Sequence, residues 1–151
     1  MKTVSIVVPC YNEEENVEPL SQAIISIFEK ELPDYRYELI FIDNDSADST
    51  RDIIRRLCAG NPDIKGIFNA KNFGQFNSPY YGMLQSTGDC TILMAADFQD
   101  PVEMIPKLSL IHISSSRYRT GNNRRRHNNA NPRLLPPSRL FRRIQCRLHS
   151  C

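Results

Sequence analysis

Acidic and amide side chains follow an apolar stretch of the sequence at residues 97–100, which read Asp-Phe-Gln-Asp. A charged group at the end of a buried strand needs a partner or a metal ion, because burying an unpaired charge is unfavourable. Asp97 and Gln99 offer the oxygen ligands that Mg²⁺ and Mn²⁺ prefer, and such an ion could carry a phosphorylated substrate. Alternatively, an Asp at this point caps the helix that Pro101 can open.

A second polar cluster follows the first apolar stretch, at residues 9–13. Tyr11 could stack on a nucleobase, whereas Asn12 and Glu13 could form hydrogen bonds to it. Asn12 could equally cap a following helix, because acidic side chains at positions 13–15 would then occupy the favourable first turn. The sequence leaves both interpretations of Asn12 open.

The third cluster begins with Asp43 and Asn44, at the start of a polar segment that extends to residue 50. A carboxylate at a strand end can accept hydrogen bonds from the ring N–H of a nucleobase or from ribose hydroxyls. Asp43 and Asn44 are therefore candidate ligand contacts. Ser46 and Asp48 are instead typical of a turn that leads into a helix cap.

The fourth cluster lies at residues 71–77. Gly74 permits close backbone approach, and a helix that begins there would offer N–H groups to a phosphate. Lys71 could add positive charge. We expect Phe73 and Phe76 to lie in the hydrophobic core rather than against a base.

Apolar periodicity predicts the elements that position these clusters. Continuous β-branched and apolar runs predict strands at residues 3–9, 37–43, 64–69 and 90–96. Helical spacing predicts helices at about 12–30, from Ser46 or Asp48 to about 58, at 74–85 and at 101–108. This alternation predicts an α/β fold with a parallel sheet, right-handed crossovers and helices on both faces.

The four clusters all follow predicted strands, so they should meet at one edge of the sheet. Ligands of open α/β sheets bind at the carboxyl ends of the strands. The clusters therefore predict a nucleotide-diphosphate site with a divalent metal ion. The ion would bridge the two phosphates and neutralise charge on a departing diphosphate.

Formal charge is divided unevenly along the 151 residues. Residues 1–108 hold all 17 Asp and Glu with 9 Lys and Arg, whereas residues 109–151 hold 10 Arg and no acid. No apolar run reaches about 18 residues, so no membrane span is predicted, and the amino terminus lacks the pattern of a signal peptide. Five Cys without paired CxxC spacing are typical of reduced thiols, so we expect a cytoplasmic location.

Residues 109–151 show no sustained periodicity. One interpretation is a basic arm that binds nucleic acid or an anionic membrane. The interpretation that we favour is a frameshift or read-through product, because residues 108–114 resemble translated sequencing-adapter sequence. We therefore expect no nucleic-acid binding. Low hydrophobicity and like charge predict disorder in either case.

The sequence resembles family-2 glycosyltransferases with the Rossmann-like GT-A fold over residues 1–108. The matching stretches are SIVVPCYNEEENV (5–17), ELIFIDNDSADST (38–50), KNFGQFNSPYYGM (71–83) and GDCTILMAADFQDPVEMIPKL (88–108). Their order and spacing are most similar to those of polyprenyl-phosphate and dolichol-phosphate sugar transferases. The resemblance implies transfer of a sugar from a UDP- or GDP-linked donor, with Mg²⁺ or Mn²⁺ as cofactor.

By position, the resemblance implies a donor pocket formed by Pro9, Tyr11, Asn12, Glu13, Asp43, Asn44 and Asp97, to which residue chemistry adds Lys71 and Gly74. Asp97 and Gln99 match the metal and diphosphate contacts of an Asp-x-Asp-x-Gln motif. Two positions depart from the family pattern. Asn44 replaces the second Asp of the base-binding pair, and Ala95 replaces the leading Asp of the metal motif.

No stretch of the chain resembles the acceptor-side half of such enzymes, so the catalytic residues of that half are unassigned. We expect a truncated catalytic domain that holds the donor-binding half and is inactive alone. A full-length parent would act on a polyprenyl phosphate at the cytoplasmic face of a membrane, which it would reach through C-terminal helices. The alternative function is a non-catalytic nucleotide-binding module. Truncation also predicts exposed apolar surface and low stability.

Overall fold

The computed structural model describes residues 1–109, and strands alternate with helices along this part of the chain. The elements are β1 (Lys2–Cys10), α1 (Val17–Glu31), β2 (Tyr35–Asp43), α2 (Thr50–Gly60), β3 (Ile64–Phe68), α3 (Gly74–Gln85) and β4 (Cys90–Leu93). Residues 104–109 are also helical. The predicted order of elements and the α/β fold class are confirmed.

The strands form one parallel sheet in the order β3-β2-β1-β4. Cys10 pairs with Asp43, and Asp43 pairs with Phe68, so β1, β2 and β3 end at the same level. The order in which strands are added to the sheet reverses at β1, because β2 and β3 lie on one side of β1 and β4 lies on the other. In doubly wound sheets, ligands bind beside such a reversal.

Alternate side chains of the central strands β1 and β2 face two different helical layers. Val4, Ile6 and Val8 are fully buried in the larger cluster, which contains the apolar side chains of α1 and α2. Val7 points to the opposite face, where it packs with Ile40, Ile42 and Tyr81 of α3. Continuous apolar strands are thus explained by helices on both faces of the sheet.

Helix α3 lies close to the sheet because Gly82 faces β1. A Cβ atom at position 82 would lie 2.7 Å from the Cγ1 atom of Val7. Pro79 is accommodated within α3, although it cannot donate a hydrogen bond to the carbonyl four residues earlier. The helix over Gly74–Gln85 was predicted and is confirmed.

A buried carboxylate attaches the connection after α3 to the sheet. Glu38 is 4% exposed, and its side chain accepts hydrogen bonds from Ser5, Lys65 and Thr87. Burial raises the pKa of the Glu38 carboxyl, but the hydrogen bonds from Lys65, Ser5 and Thr87 outweigh this effect and lower the pKa to about 2. The charged carboxylate therefore joins three strands to the end of α3.

Three helices begin later than the sequence suggested, and one of them is the last, which is helical from residue 104 instead of from the predicted Pro101. Helix α1 begins at Val17 after the N-cap Asn16, so the prediction of a helix from Asn12 is wrong. Asn12 has a φ of 56° and uses its side chain elsewhere, as described below. Helix α2 begins at Thr50 after the N-cap Ser49, so neither Ser46 nor Asp48 is the N-cap.

Strand β4 ends at Leu93, although its apolar pattern extends to Ala96. The N–H of Met94 still bonds the carbonyl of Val7, but the N–H of Ala95 turns away to the carboxylate of Asp100. The chain therefore leaves the sheet before the apolar run ends.

Apolar side chains are exposed on the outer side of α3 and on the edge strand β4. Phe76 is 80% exposed, so the expectation that it lies in the core is wrong, whereas Phe73 is half-buried. Tyr80, Leu84 and Leu93 are exposed as well. Within residues 1–109, no helix is both long enough and apolar enough to cross a membrane.

Candidate nucleotide-sugar site at the carboxyl edge of the sheet

The loops that follow the four strands leave the sheet at one edge. The register places Cys10, Asp43 and Phe68 side by side at the ends of β1, β2 and β3. The bond from Met94 N–H to the carbonyl of Val7 carries the end of β4 to the same edge. All four predicted polar clusters therefore lie where the sequence placed them.

The first two loops are joined by hydrogen bonds. Asn12 donates its N–H to Ser46 Oγ at 2.9 Å, and its Oδ1 accepts the N–H of Ala47 at 2.9 Å. The N–H of Glu13 bonds Thr50 Oγ1 at 2.8 Å. The left-handed backbone of Asn12 suits this reciprocal pairing, because Asn tolerates positive φ better than most residues. Asn12 therefore connects two loops instead of capping α1.

Further contacts extend this connection along the same two loops. The N–H of Glu14 bonds the carboxylate of Asp48, and the N–H of Ser49 bonds the carboxylate of Glu14. Burial raises the pKa of the Asp48 carboxyl, but hydrogen bonds from Thr50 and Glu14 have the larger combined effect and lower it. The Glu13 carboxylate accepts a hydrogen bond from the Asn16 amide at 2.7 Å. Hydrogen bonds to carboxylates thus hold the loops after β1 and β2 together.

Asp43 is fully buried at the end of β2 and is paired with Arg51 of α2. Arg51 Nε lies 2.5 Å from Asp43 Oδ2, and the Arg51 guanidinium also donates to the carbonyl of Asn69. The N–H groups of Asp45 and Ser46 bond the same carboxylate. This arrangement satisfies the buried charge with a cation and two backbone donors.

Asn44 is held by side chains and a backbone N–H of the segment between β3 and α3. Its Nδ2 donates to Asn72 Oδ1 at 2.7 Å, and its Oδ1 accepts the N–H of Phe73 at 2.9 Å and Asn69 Nδ2 at 3.2 Å. Asn69 also donates to Ser78 Oγ at 3.0 Å. We name Asn44, Asn69 and Asn72 the asparagine clasp, because together they connect β2 to the start of α3.

Other predicted site residues at this edge are exposed or half-buried. Tyr11 is 51% exposed, and Pro9 beside it is half-buried. The Lys71 ammonium is exposed and lies 5.3 Å from the centre of the Phe73 ring. Gly74 opens α3 with a φ of 83°, a conformation that side chains rarely adopt. These groups are available to a ligand, in contrast to Asp43.

The turn after β4 presents an exposed carboxylate. Asp97 Oδ1 accepts the N–H of Gln99 at 3.2 Å, and Asp97 Oδ2 accepts Gln99 Nε2 at 2.6 Å. Asp100 is used differently, because its Oδ2 accepts the N–H of Ala95 at 2.9 Å and closes the turn. Phe98, between them, has a φ of 60°. Asp97 therefore projects from a turn that Asp100 stabilises.

The oxygen chemistry of this turn fits a hard divalent cation. Residues 1–109 contain no group of three His, Cys, Asp or Glu that could hold a metal alone. Mg²⁺ needs no such group, because one or two carboxylates together with substrate phosphates are its usual ligands. Asp97 supplies one carboxylate, and the adjacent Gln99 amide, whose Nε2 donates to Asp97, carries a further oxygen. Ala95 contributes no oxygen from its side chain.

Cys10 lies beneath the edge without contributing a reactive group. Burial first, then the negative charges of Asp43, Glu13 and Asp48, raise the pKa of the Cys10 thiol well above its usual range. A protonated, buried thiol is a poor nucleophile and a poor metal ligand. Cys10 is therefore a packing residue.

The structure adds residues that sequence reasoning did not assign to the site. Arg51 holds Asp43, and Asn69, Asn72 and Ser78 hold the β3–α3 loop. A signal for the asparagines was present, because Asn44, Asn69 and Asn72 each follow the end of a strand. The sequence contained no comparable signal for Arg51, which lies in the first turn of the amphipathic helix α2.

The fold is that of GT-A glycosyltransferases. It resembles the mannosyltransferase PcManGT from Pyrobaculum calidifontis, which was solved with GDP-Man and Mn²⁺, with a TM-score of 0.51 and 23% identity over 65% of this chain and 32% of that one. The chain belongs to the family described as Glycosyl transferase family 2, which matches residues 5–143. The sequence-based assignment to this family is confirmed.

Curated relatives share more sequence with the chain. The bactoprenol glucosyl transferase of Shigella phage SfX is 38% identical over 105 residues, which are 70% of this chain and 34% of that protein. The dolichol-phosphate mannosyltransferase of Pyrococcus furiosus is 36% identical over 105 residues, 70% of this chain and 28% of that protein. The chain thus spans about a third of the length of such relatives.

The family match continues beyond the boundary that we placed at residue 108, whereas these two alignments span 105 residues. Residues 110–151 lie outside the described part of the chain, and so does the predicted disorder of the basic segment. Its assignment as a frameshift or read-through product stays a prediction.

Proposed function

We propose that this chain binds the nucleotide-diphosphate portion of a UDP- or GDP-linked sugar at the carboxyl edge of its sheet. One observation carries the proposal: Tyr11, Lys71 and Asp97 are exposed on loops at one edge, while their neighbours are fixed by hydrogen bonds. An aromatic ring, an ammonium group and a carboxylate can serve a base, a phosphate and a metal ion, respectively.

The hydrogen-bonded loops at the carboxyl edge of the sheet would position the donor before sugar transfer. Pro9 and Tyr11 would form the base-side wall, and Asn12 and Glu13 would hold that wall through their bonds to Ser46 and Thr50. Asp43 and Asn44 would shape the neighbouring wall from below, since both are buried. Lys71 and the N–H groups that follow Gly74 in the first turn of α3 would meet the phosphates. Preorganised groups of this kind lose little free energy to reorganisation on binding.

Asp97 and Gln99 are the residues that would hold Mg²⁺ or Mn²⁺ together with the donor phosphates. When bound, the cation would neutralise charge that develops on the nucleotide diphosphate as the sugar departs. Asp100 would keep Asp97 in place, because its carboxylate already closes the turn at Ala95. The proposal needs no second metal-binding carboxylate from this chain.

We further propose that a full-length parent transfers the sugar to a polyprenyl phosphate at the cytoplasmic face of a membrane. The names of the relatives support this substrate class, since they include a bactoprenol glucosyl transferase and a dolichol-phosphate mannosyltransferase. Acceptor and membrane contacts would come from the part that these relatives have beyond the matched third. The present chain would then bind donor without turnover.

Nuclear magnetic resonance mapping of the full chain with UDP and with GDP, each with Mg²⁺, tests the donor site. We expect shift changes at the amides of Tyr11, Lys71, Gly74 and Asp97, and none at Asp63 on the opposite edge. Changes confined to the opposite edge, or none with either nucleotide in a folded sample, would refute the site. Sugar transfer by the 151-residue chain to undecaprenyl phosphate would refute the claim that it only binds.

A non-catalytic nucleotide-binding module is the second candidate. The observation that favours it is Ala95, which leaves Asp97 without the companion carboxylate of the usual motif. Such a module would bind nucleotide diphosphate but release none from a sugar donor. Extending the chain to the length of its relatives distinguishes the candidates, because only the transferase gains turnover.

A further inference from the structure

We propose that Asn44 is a positioning residue that fixes the β3–α3 loop for a donor phosphate, and that it is not itself a base contact. This inference rests on the proposed function, since it assigns a role within the same site. It also departs from the sequence-based expectation, in which Asn44 belongs to a base-binding pair.

Hydrogen-bond accounting is the first argument. A side-chain amide offers two N–H donors and an oxygen with two acceptor positions. Asn44 uses one donor on Asn72, and its oxygen is occupied by both Phe73 N–H and Asn69 Nδ2. The side chain is also buried, at 7% exposed. One N–H therefore remains, and the acceptor that a base N–H would need is already used.

The second argument concerns the backbone groups that these hydrogen bonds fix at the start of α3. Phe73 is the N-cap residue of α3, and its N–H is fixed by Asn44. Asn72 Oδ1 accepts both Asn44 Nδ2 and the N–H of Gly74, at 2.7 Å and 2.8 Å. The asparagine clasp thus occupies two successive N–H groups at the start of the helix and fixes the turn whose later N–H groups have no partner within the helix. It also fixes the strand-to-helix segment that carries Lys71.

An amide at position 44 is required by this geometry. Aspartate there would place a carboxylate oxygen against Asn72 Oδ1, where two acceptors cannot bond each other. Rotation of the Asn72 amide would restore a donor toward position 44 but would withdraw the oxygen that Gly74 uses. The Asn44→Asp variant therefore loses one of the two bonds.

The test uses the full chain with Asn44→Asp, Asn72→Ala and the double variant, and measures UDP affinity with Mg²⁺ and amide hydrogen exchange. Each single variant should weaken UDP binding about tenfold, the effect of one lost hydrogen bond with an unsatisfied partner. The double variant should be no weaker than the weaker single variant, because both remove the same clasp. Exchange at Phe73 and Gly74 should rise in every variant.

Charge and folding are controlled separately. Asn61→Asp adds the same charge at the opposite edge and should retain UDP affinity. Asn72 is exposed, so Asn72→Ala should stay folded even if Asn44→Asp does not. Additive losses in the double variant would show that Asn44 and Asn72 act independently, and tighter UDP binding by Asn44→Asp would indicate a direct base contact; either result would overturn the proposal. Unchanged exchange at Phe73 and Gly74 would overturn the clasp itself. No UDP or GDP binding by the folded parent chain would overturn the donor site.

Discussion

The buried carboxylate of Asp43 and the guanidinium of Arg51 form an ion pair at the end of β2, with Nε and Oδ2 separated by 2.5 Å. Arg51 also donates to the carbonyl of Asn69, so one side chain joins the ends of β2 and β3 from α2. The pair therefore fixes the strand ends that carry the loops of the candidate donor site.

Removal of Arg51 should destabilise the fold, because it leaves a fully buried carboxylate with backbone donors alone. Arg51→Ala should lower the free energy of unfolding by about 2 kcal/mol, the range for a hydrogen bond to a charged group. Urea denaturation measures this quantity. Arg56→Ala is the matched control, because its pair with Glu18 is exposed and should contribute less than about 1 kcal/mol. Equal losses in both variants would contradict the structural role of Arg51.

The Glu38 carboxylate should make stability depend on acid pH. Its pKa is lowered from 4.5 to about 2 in the folded chain, so its contribution is complete above the unfolded pKa and is lost as pH falls toward 2. Linkage converts this difference to about 3 kcal/mol. Glu38→Gln should flatten the pH dependence of the unfolding free energy between about pH 5 and pH 2.

Glu29→Gln provides the comparison for this pH effect. Glu29 is exposed on α1, so its substitution should leave the slope of stability against pH unchanged. A slope unaltered by Glu38→Gln would show that the carboxylate is not stabilised by its bonds to Ser5, Lys65 and Thr87.

Close packing of α3 on β1 should make Gly82 intolerant of a methyl group. Gly82→Ala places a Cβ 2.7 Å from Val7 Cγ1, so we expect destabilisation of about 1–3 kcal/mol in thermal or urea unfolding. Gly60→Ala is the control, because a Cβ there meets nothing within 4 Å at the end of α2. That variant should be neutral or stabilised by about 0.5 kcal/mol. Similar behaviour of the two variants would contradict the placement of α3.

The exposed apolar side of α3 should promote self-association. Phe76 and Leu84 are 80% and 61% exposed, so replacing both with Lys should lower the weight-average mass seen in sedimentation at high concentration. Asn77→Lys adds charge on the same helix without removing apolar surface, and should have the smaller effect. An association state unaltered by the double substitution would exclude this surface as its cause.

Strand positions followed closely from the sequence, because strands covered on both faces are continuous apolar runs such as TVSIVVP (3–9). The starts of the helices did not follow from the sequence. Asn12 and Asp48 are residue types that cap helices, but here their side chains bond backbone N–H groups of another loop, which local sequence rules cannot reveal. Asn12 bonds Ala47 across two loops, a contact separated by 35 positions in the chain. Phe76 was misplaced for a related reason, since apolar type alone does not indicate which side of α3 is covered.

The sequence predicted the four polar clusters of the site. It did not predict which of their residues are exposed to a ligand and which are buried and paired within the protein. Strand ends indicated Tyr11, Lys71 and Asp97, which the structure leaves exposed. The same reasoning could not reveal that Asp43 is paired with Arg51, because that pairing depends on how α2 packs. Whether each of these residues contacts a donor stays a prediction that binding measurements must decide.

The most direct test of the donor site is calorimetric titration of the 151-residue chain with UDP and GDP, in Mn²⁺ and in chelator. Asp97→Ala is compared with Asp63→Ala, an exposed carboxylate at the opposite edge. We predict metal-dependent binding of at least one nucleotide, weakened at least about tenfold by Asp97→Ala, as loss of a direct metal ligand implies, and retained in Asp63→Ala. Binding that is equally strong in chelator and in Asp97→Ala, or absent from a folded parent chain, would contradict it.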